Sequence, residues 1–160
     1  MNVQGFLKCF LIFCSMRKVM VFGTFDVVHE GHLFLFEQAK KYGDFLIVVV
    51  ARDKTVCKVK GRATLFGEQE RLKAVASIEL VDRAVLGDLR DVYKVVEDFK
   101  PDVICLGYDQ QAFTDRLETE LKRRGVSAVI IRLPAYKEHV FKSSLLKKKK
   151  EVKPLSVEGA

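Results

Sequence analysis

Two of the chain's three histidines, His29 and His32, fall in one turn, in the run Gly23-Thr24-Phe25-Asp26-Val27-Val28-His29-Glu30-Gly31-His32. Imidazole is the side chain whose charge changes near neutral pH, and an adjacent anion favours its cationic form. Gly31 keeps side-chain bulk away from the pair. It is expected in the opening turn of a helix, where free N–H groups and the helix dipole attract negative charge. Gly23 is expected to let the backbone turn sharply out of a sheet. Together these residues make a pocket that can hold phosphate and stabilise charge developing on phosphorus. An isolated H-x-G-H is a weak signal, because a histidine near a helix start is often only a cap or a core residue. What favours the functional reading is that both histidines follow a G-T-F-D run at the tip of an apolar strand.

The elements that must position this turn alternate. Residues 19–23 read as a short apolar strand and 30–42 as an amphipathic helix closed by Gly43. Residues 45–51 (FLIVVVA) are unbroken and β-branched, as in a central strand of a parallel sheet covered on both faces. Residues 53–66 read as a polar, Lys-rich loop. Then follow a helix at 67–78, a strand at 84–86, a helix at 92–99 stopped before Pro101, a strand at 103–107, a helix at 112–124 and a strand at 126–131. Residues 143–150 can form a terminal helix. Strand–helix–strand at this interval predicts crossover connections: an α/β, Rossmann-like three-layer sandwich with a mostly parallel, five-stranded open sheet. In such a sheet, ligands bind beyond the carboxyl ends of the strands.

Length and composition set the bounds. With 160 residues, 49% of them hydrophobic and 31% charged, the chain suits one globular domain and excludes wholesale disorder. Of the net charge of +7, seven Lys against three Glu from Lys137 onward contribute +4, so the body is nearer neutral and a broad nucleic-acid face is not expected. The Lys147–Lys150 run reads as solvated surface. Cys9, Cys14, Cys57 and Cys105 form no C-x-x-C pair and no zinc-like cluster, which fits a reducing cytoplasm. The apolar stretch 5–14 is too short to span a membrane and is interrupted by Lys8. Met16 is the expected start, with residues 1–15 a mis-called or disordered extension or, alternatively, a short surface-bound arm. Residues 16–150 make the domain and 151–160 a loose tail.

Gly23–Asp26 followed by His29-Glu30-Gly31-His32 resembles the signature of the cytidylyltransferase-like nucleotidylyltransferases, which join a nucleoside triphosphate to a phosphate-bearing acceptor and release pyrophosphate. Ala51-Arg52-Asp53-Lys54-Thr55-Val56, Leu106-Gly107-Tyr108-Asp109-Gln110, and Tyr136-Lys137 with Ser143-Ser144 resemble the archaeal FAD synthase branch. The resemblance implies that Thr24 and Phe25 line the triphosphate with their backbone. It implies that His29 and His32, with Glu30 and Gly31 between them, act at the α-phosphorus. Asp109 would meet the nucleoside, Tyr136 and Lys137 would lie near the nucleotide, and Ser143 and Ser144 would donate to the β- and γ-phosphates. Asp26, Lys60, Arg62 and Arg71 are candidates for phosphate or acceptor contacts. For the basic loop around Lys60 and Arg62 the alternative is plain solvation, and for Arg71 it is a surface ion pair with Glu68.

The implied reaction is direct. The acceptor phosphate attacks the α-phosphorus in line and pyrophosphate leaves, so no covalent enzyme intermediate is needed. A divalent metal, Mg²⁺, would bridge substrate phosphates rather than sit in a protein cage. ATP and FMN are the expected substrates. The alternative is CTP with glycerol 3-phosphate or a similar small phosphorylated alcohol. A third reading, a nucleotide- or RNA-binding module with a dead site, is opposed by the intact histidine pair. No membrane partner is expected, nucleic acid is disfavoured, and homodimerisation stays open. One domain is fully used by this sheet, so phosphorylation of riboflavin would fall to another protein.

Overall fold

The computed structural model describes residues 16–136. Expectations for residues 1–15, Lys137, Ser143, Ser144, the helix at 143–150 and the tail at 151–160 lie outside the described residues. The strands are β1 (Lys18–Gly23), β2 (Phe45–Val50), β3 (Arg83–Leu86), β4 (Val103–Leu106) and β5 (Val129–Arg132). The helices are α1 (Glu30–Lys40), α2 (Asp53–Lys60), α3 (Glu68–Ala76), α4 (Lys94–Phe99) and α5 (Leu117–Arg123). The sheet order is β3-β2-β1-β4-β5, and every neighbouring pair is parallel.

The apolar run of β2 is buried because the sheet is covered on both faces. On one face Val19, Val21, Leu46, Val48 and Val50 pack with Phe36 and Ala39 of α1 and Val75 of α3. On the other, Met20, Ile47, Val49, Ile104 and Leu106 pack with Val95 and Val96 of α4 and Leu117 and Leu121 of α5. Successive strand residues alternate between the two clusters, as a period of two requires. The result is the expected three-layer sandwich, all parallel rather than mostly so. The chain runs outward from β1 through β2 to β3, then returns to lay β4 on the other side of β1. That reversal opens a crevice beyond the ends of β1 and β4, where an open α/β sheet binds its ligands.

Three local expectations are corrected. The supposed loop at 53–66 begins with helix α2, closed by Gly61 at φ 64. Its start is tied to that of α3: the Asp53 N–H donates to Glu68 Oε2 at 3.0 Å and the Glu68 N–H to Asp53 Oδ2 at 3.1 Å. Each carboxylate thus serves the other helix's orphan donors, a pairing across 15 residues that local composition does not reveal. The helix expected at 112–124 begins only at Leu117, because Phe113 has a left-handed backbone (φ 65) that no right-handed helix accepts. Finally, α1 ends at Lys40 with Lys41 as its cap, so Gly43 plays no capping role.

Candidate active site

The carboxyl ends of β1, β2, β3 and β4 contribute Gly23, Ala51, Gly87 and Gly107 to one cleft of about 550 Å³. Thr24, Phe25, Asp26, His29, Gly31 and His32 line it from the β1–α1 turn; Lys60 and Arg62 line it from the end of α2 and beyond; Asp109 and Tyr136 line it from the far side. The structure therefore brings together most of the residues singled out from the sequence. Glu30, at the start of α1, is exposed and does not line the cleft.

The bend is built differently from expectation. Gly23 stays in register with Val50, and the left-handed residue is Phe25, at φ 49. What Gly23 supplies is room: a Cβ there would come within 2.5 Å of the Phe25 ring. That ring is buried and meets the edge of His32 at a centroid distance of 5.1 Å and the ring of Phe36 at 5.4 Å. The chain of contact from Gly23 through Phe25 sets where the second imidazole lies.

His29 and His32 stack, with ring centroids 3.8 Å apart and planes inclined by 24°. His29 is the N-cap of α1, and its Nδ1 accepts from the Gly31 N–H at 3.1 Å. This corrects the expectation of a free Gly31 N–H. An accepting Nδ1 also puts the His29 ring proton on Nε2. Burial lowers the His29 pKa. Burial first, then the neighbouring His29 and Lys60, push His32 down to about 3, against a smaller upward pull from a hydrogen bond with the Val27 backbone. His32 Nδ1 is buried without a hydrogen-bond partner among the described residues. Burial thus disfavours the cation on both rings, and taking up a proton would convert the idle nitrogen of His32 into a donor.

Two sequence candidates hold the frame, Asp26 at the cleft wall and Arg71 outside it. Asp26 is buried, and its carboxylate accepts from the backbone N–H of Leu65 at 2.9 Å and of Phe66 at 3.0 Å. Arg71 is 1% exposed and absent from the cleft wall, so neither a phosphate contact nor a surface pair with Glu68 describes it. Its guanidinium donates to the carbonyls of Thr24 (2.5 Å), Ala51 (2.8 Å) and Phe66 (3.1 Å) and pairs with Asp53 at 2.6 Å. One side chain thereby joins the ends of β1 and β2 to the segment before α3. Burial alone would push the Asp53 carboxyl up, but Arg71, the Glu68 N–H and the Thr64 hydroxyl outweigh it and hold the pKa below its ordinary value.

Sequence reasoning passed over Arg132, whose Nη1 donates to the carbonyls of Gly107 and Gln110, both at 2.9 Å, and so shapes the turn that carries Asp109. It also passed over the stacking of Tyr136 on Phe34 at 4.8 Å. An arginine ending a strand is the one local hint of the former; the latter has none.

A parallel sheet with its cleft at the reversal point, and paired imidazoles at the first strand–helix bend, define an α/β domain with a cleft chemically suited to phosphate. The chain belongs to the cytidylyltransferase-like family, whose model matches residues 20–149. It is 46% identical over 120 residues to FAD synthase of Ferroglobus placidus, covering 75% of this chain and 78% of that one. It is 43% identical over 129 residues to FAD synthase of Archaeoglobus profundus, covering 81% and 82%. Among solved structures it is similar to the lipopolysaccharide core biosynthesis protein from Thermoplasma volcanium, with a TM-score of 0.72, 40% identity, and 77% of this chain and 100% of that chain covered. Pantoate-beta-alanine ligase from Francisella tularensis shares the fold, with a TM-score of 0.56 and 16% identity over 85% of this chain and 69% of that one. Among the described residues no helix is long and apolar enough to cross a membrane.

Proposed function

We propose that the chain transfers the adenylyl group of ATP to FMN, giving FAD and pyrophosphate. The observation that carries this reading is the cleft at the β1–β4 reversal, lined by the stacked His29 and His32 and roomy enough for two joined ring systems. Relatives named FAD synthase, matching at 40–46% identity over most of both chains, support FMN as the acceptor.

A phosphate oxygen of FMN attacks the α-phosphorus of ATP in line. The new O–P bond forms as the bond from the α-phosphorus to the bridging oxygen of pyrophosphate breaks. A phosphate dianion is already nucleophilic, so the protein's work is positioning and charge stabilisation. The backbone at Thr24 and Phe25, together with Gly31, borders the triphosphate, while Asp109 and Tyr136 take the nucleoside. Lys137, Ser143 and Ser144 complete the nucleotide contacts in the same reading, and Lys60 and Arg62 suit the acceptor phosphate.

The two histidines meet the charge that builds at the α-phosphorus. With His32 at about 3, half-protonating it at pH 7 costs about 5 kcal/mol. One phosphate charge at about 4 Å supplies about 4 kcal/mol at an effective dielectric of about 20. A triphosphate carries more than one such charge, which favours the protonated ring once the substrate is bound.

The described residues do not fit a protein-held metal, since no three His, Cys, Asp or Glu side chains converge on one point. A divalent ion, Mg²⁺ in this reading, would come with the nucleotide phosphates. The free thiols of Cys57 and Cys105 suit a cytoplasmic setting.

The test is pyrophosphate release with ATP or CTP, each against FMN and glycerol 3-phosphate. Turnover is expected with ATP and FMN. Robust turnover with CTP alone overturns the assignment.

A further inference from the structure

The cleft wall is not uniform. Polar and apolar side chains both line it, and Val56 and Val59 of α2, Val92 and Phe113 are among the apolar ones. Two of these are apolar side chains left in solvent: Val59 is 45% exposed and Phe113 44%. Phe113 is also one of three non-glycine residues with left-handed backbone among those described. A bulky side chain takes that conformation only where its surroundings enforce it.

The Tyr93 hydroxyl donates to the Phe113 carbonyl at 2.8 Å. The Arg124 guanidinium lies over the Tyr93 ring, 5.8 Å from its centroid. Arg124 in turn is held by Asp91 at 2.8 Å, Glu97 at 2.9 Å and Glu120 at 3.1 Å. The backbone of Phe113 is thus held at its carbonyl while the residue stays 44% exposed. An exposed ring gains nothing for stability from this arrangement. A ring held ready on a cavity wall gains by receiving a flat ligand.

Adenylyl transfer to FMN brings two flat systems into the cleft. The Asp109 and Tyr136 side, where Tyr136 already stacks on Phe34, is assigned to the nucleoside. We propose that Phe113 is the platform for the isoalloxazine ring of the acceptor, with Val56 and Val59 completing the apolar wall and Tyr93 acting as a positioning residue. This placement rests on the FMN reading above. It also gives that reading its selectivity, because glycerol phosphate has no ring to lay against Phe113.

The chain contains no tryptophan, so Phe113→Trp installs a single reporter at the platform. Titrating FMN is expected to quench its emission, whereas ATP alone is not. Phe113→Ala is expected to raise KM for FMN about ten-fold, the worth of one aromatic pair, and to leave KM for ATP unmoved. Tyr93→Phe removes only the hydroxyl and is expected to raise KM for FMN about three-fold with the melting temperature unchanged, which a merely structural bond would not do. If the unsubstituted chain turns over FMN but Phe113→Ala moves KM for ATP instead, or neither constant, the placement is wrong and the adenylyl-transfer reading survives. If the unsubstituted chain does not turn over FMN, both fall together.

Discussion

Lowering the pH should unfold this protein partly through one imidazole. His32 ordinarily titrates at 6.5 and is pushed to about 3 in the fold, chiefly by burial. The sign follows from which state binds the proton. Between these two values the unfolded chain carries a proton on this ring and the folded chain does not, so stability rises with pH by about 1.4 kcal/mol per unit. The stabilisation is complete above pH 6.5 and is lost as the pH falls toward 3. Between pH 7 and pH 4.5 the loss from this group is about 2.5 kcal/mol, a large share of the roughly 5–15 kcal/mol that holds a domain folded. His29, also lowered by burial, acts in the same direction, and carboxylates titrate in this range too. The informative quantity is therefore the difference between the parent and His32→Gln, which cannot titrate. Urea unfolding followed by circular dichroism at several pH values from 7 to 4.5 should give a shallower pH dependence for the variant, by about 2.5 kcal/mol across the range. Parallel curves, agreeing to within about 0.5 kcal/mol, would show that the ring is solvated and freely protonated in the folded protein, and the account of the histidine pair would be wrong.

Three further outcomes are expected. Gly23→Ala places a methyl group within 2.5 Å of the buried Phe25 ring, so thermal melts should show a loss of about 1–3 kcal/mol. Because Phe25 abuts His32, pyrophosphate release by the same variant should fall by about 10²-fold. Arg71→Met leaves the Thr24, Ala51 and Phe66 carbonyls and Asp53 without their shared donor. Since the Asp53 side chain is 43% exposed and can rehydrate, the expected loss in urea unfolding is near the lower end for a broken buried pair, about 3 kcal/mol. His29→Ala and His32→Ala should each lower kcat by about 10²–10³-fold in the pyrophosphate assay, as when one charge-stabilising donor is removed.

The order of strands and helices, the two-sided burial of 45–51 and the place of the histidine turn could be read in the sequence, because each depends on contacts within a few residues or on an apolar run whose length alone demands cover. The roles of single residues at the cleft could not. Gly23 serves as empty space for a ring two residues on, not as a hinge. Arg71 reads as a surface helix residue until the ends of β1 and β2 are brought against it, 47 and 20 residues away in sequence. Asp26 lines the cleft and also accepts from two amides about 40 residues downstream, which local sequence does not reveal. Phe113 falls within the helix expected from the sequence but takes a left-handed backbone ahead of the observed one, with the residue 44% exposed on the cleft wall. Local pattern fixes which segments fold and where the chain must turn. Which donor finds which acceptor across the sheet depends on packing between distant segments, and only the assembled structure decides it.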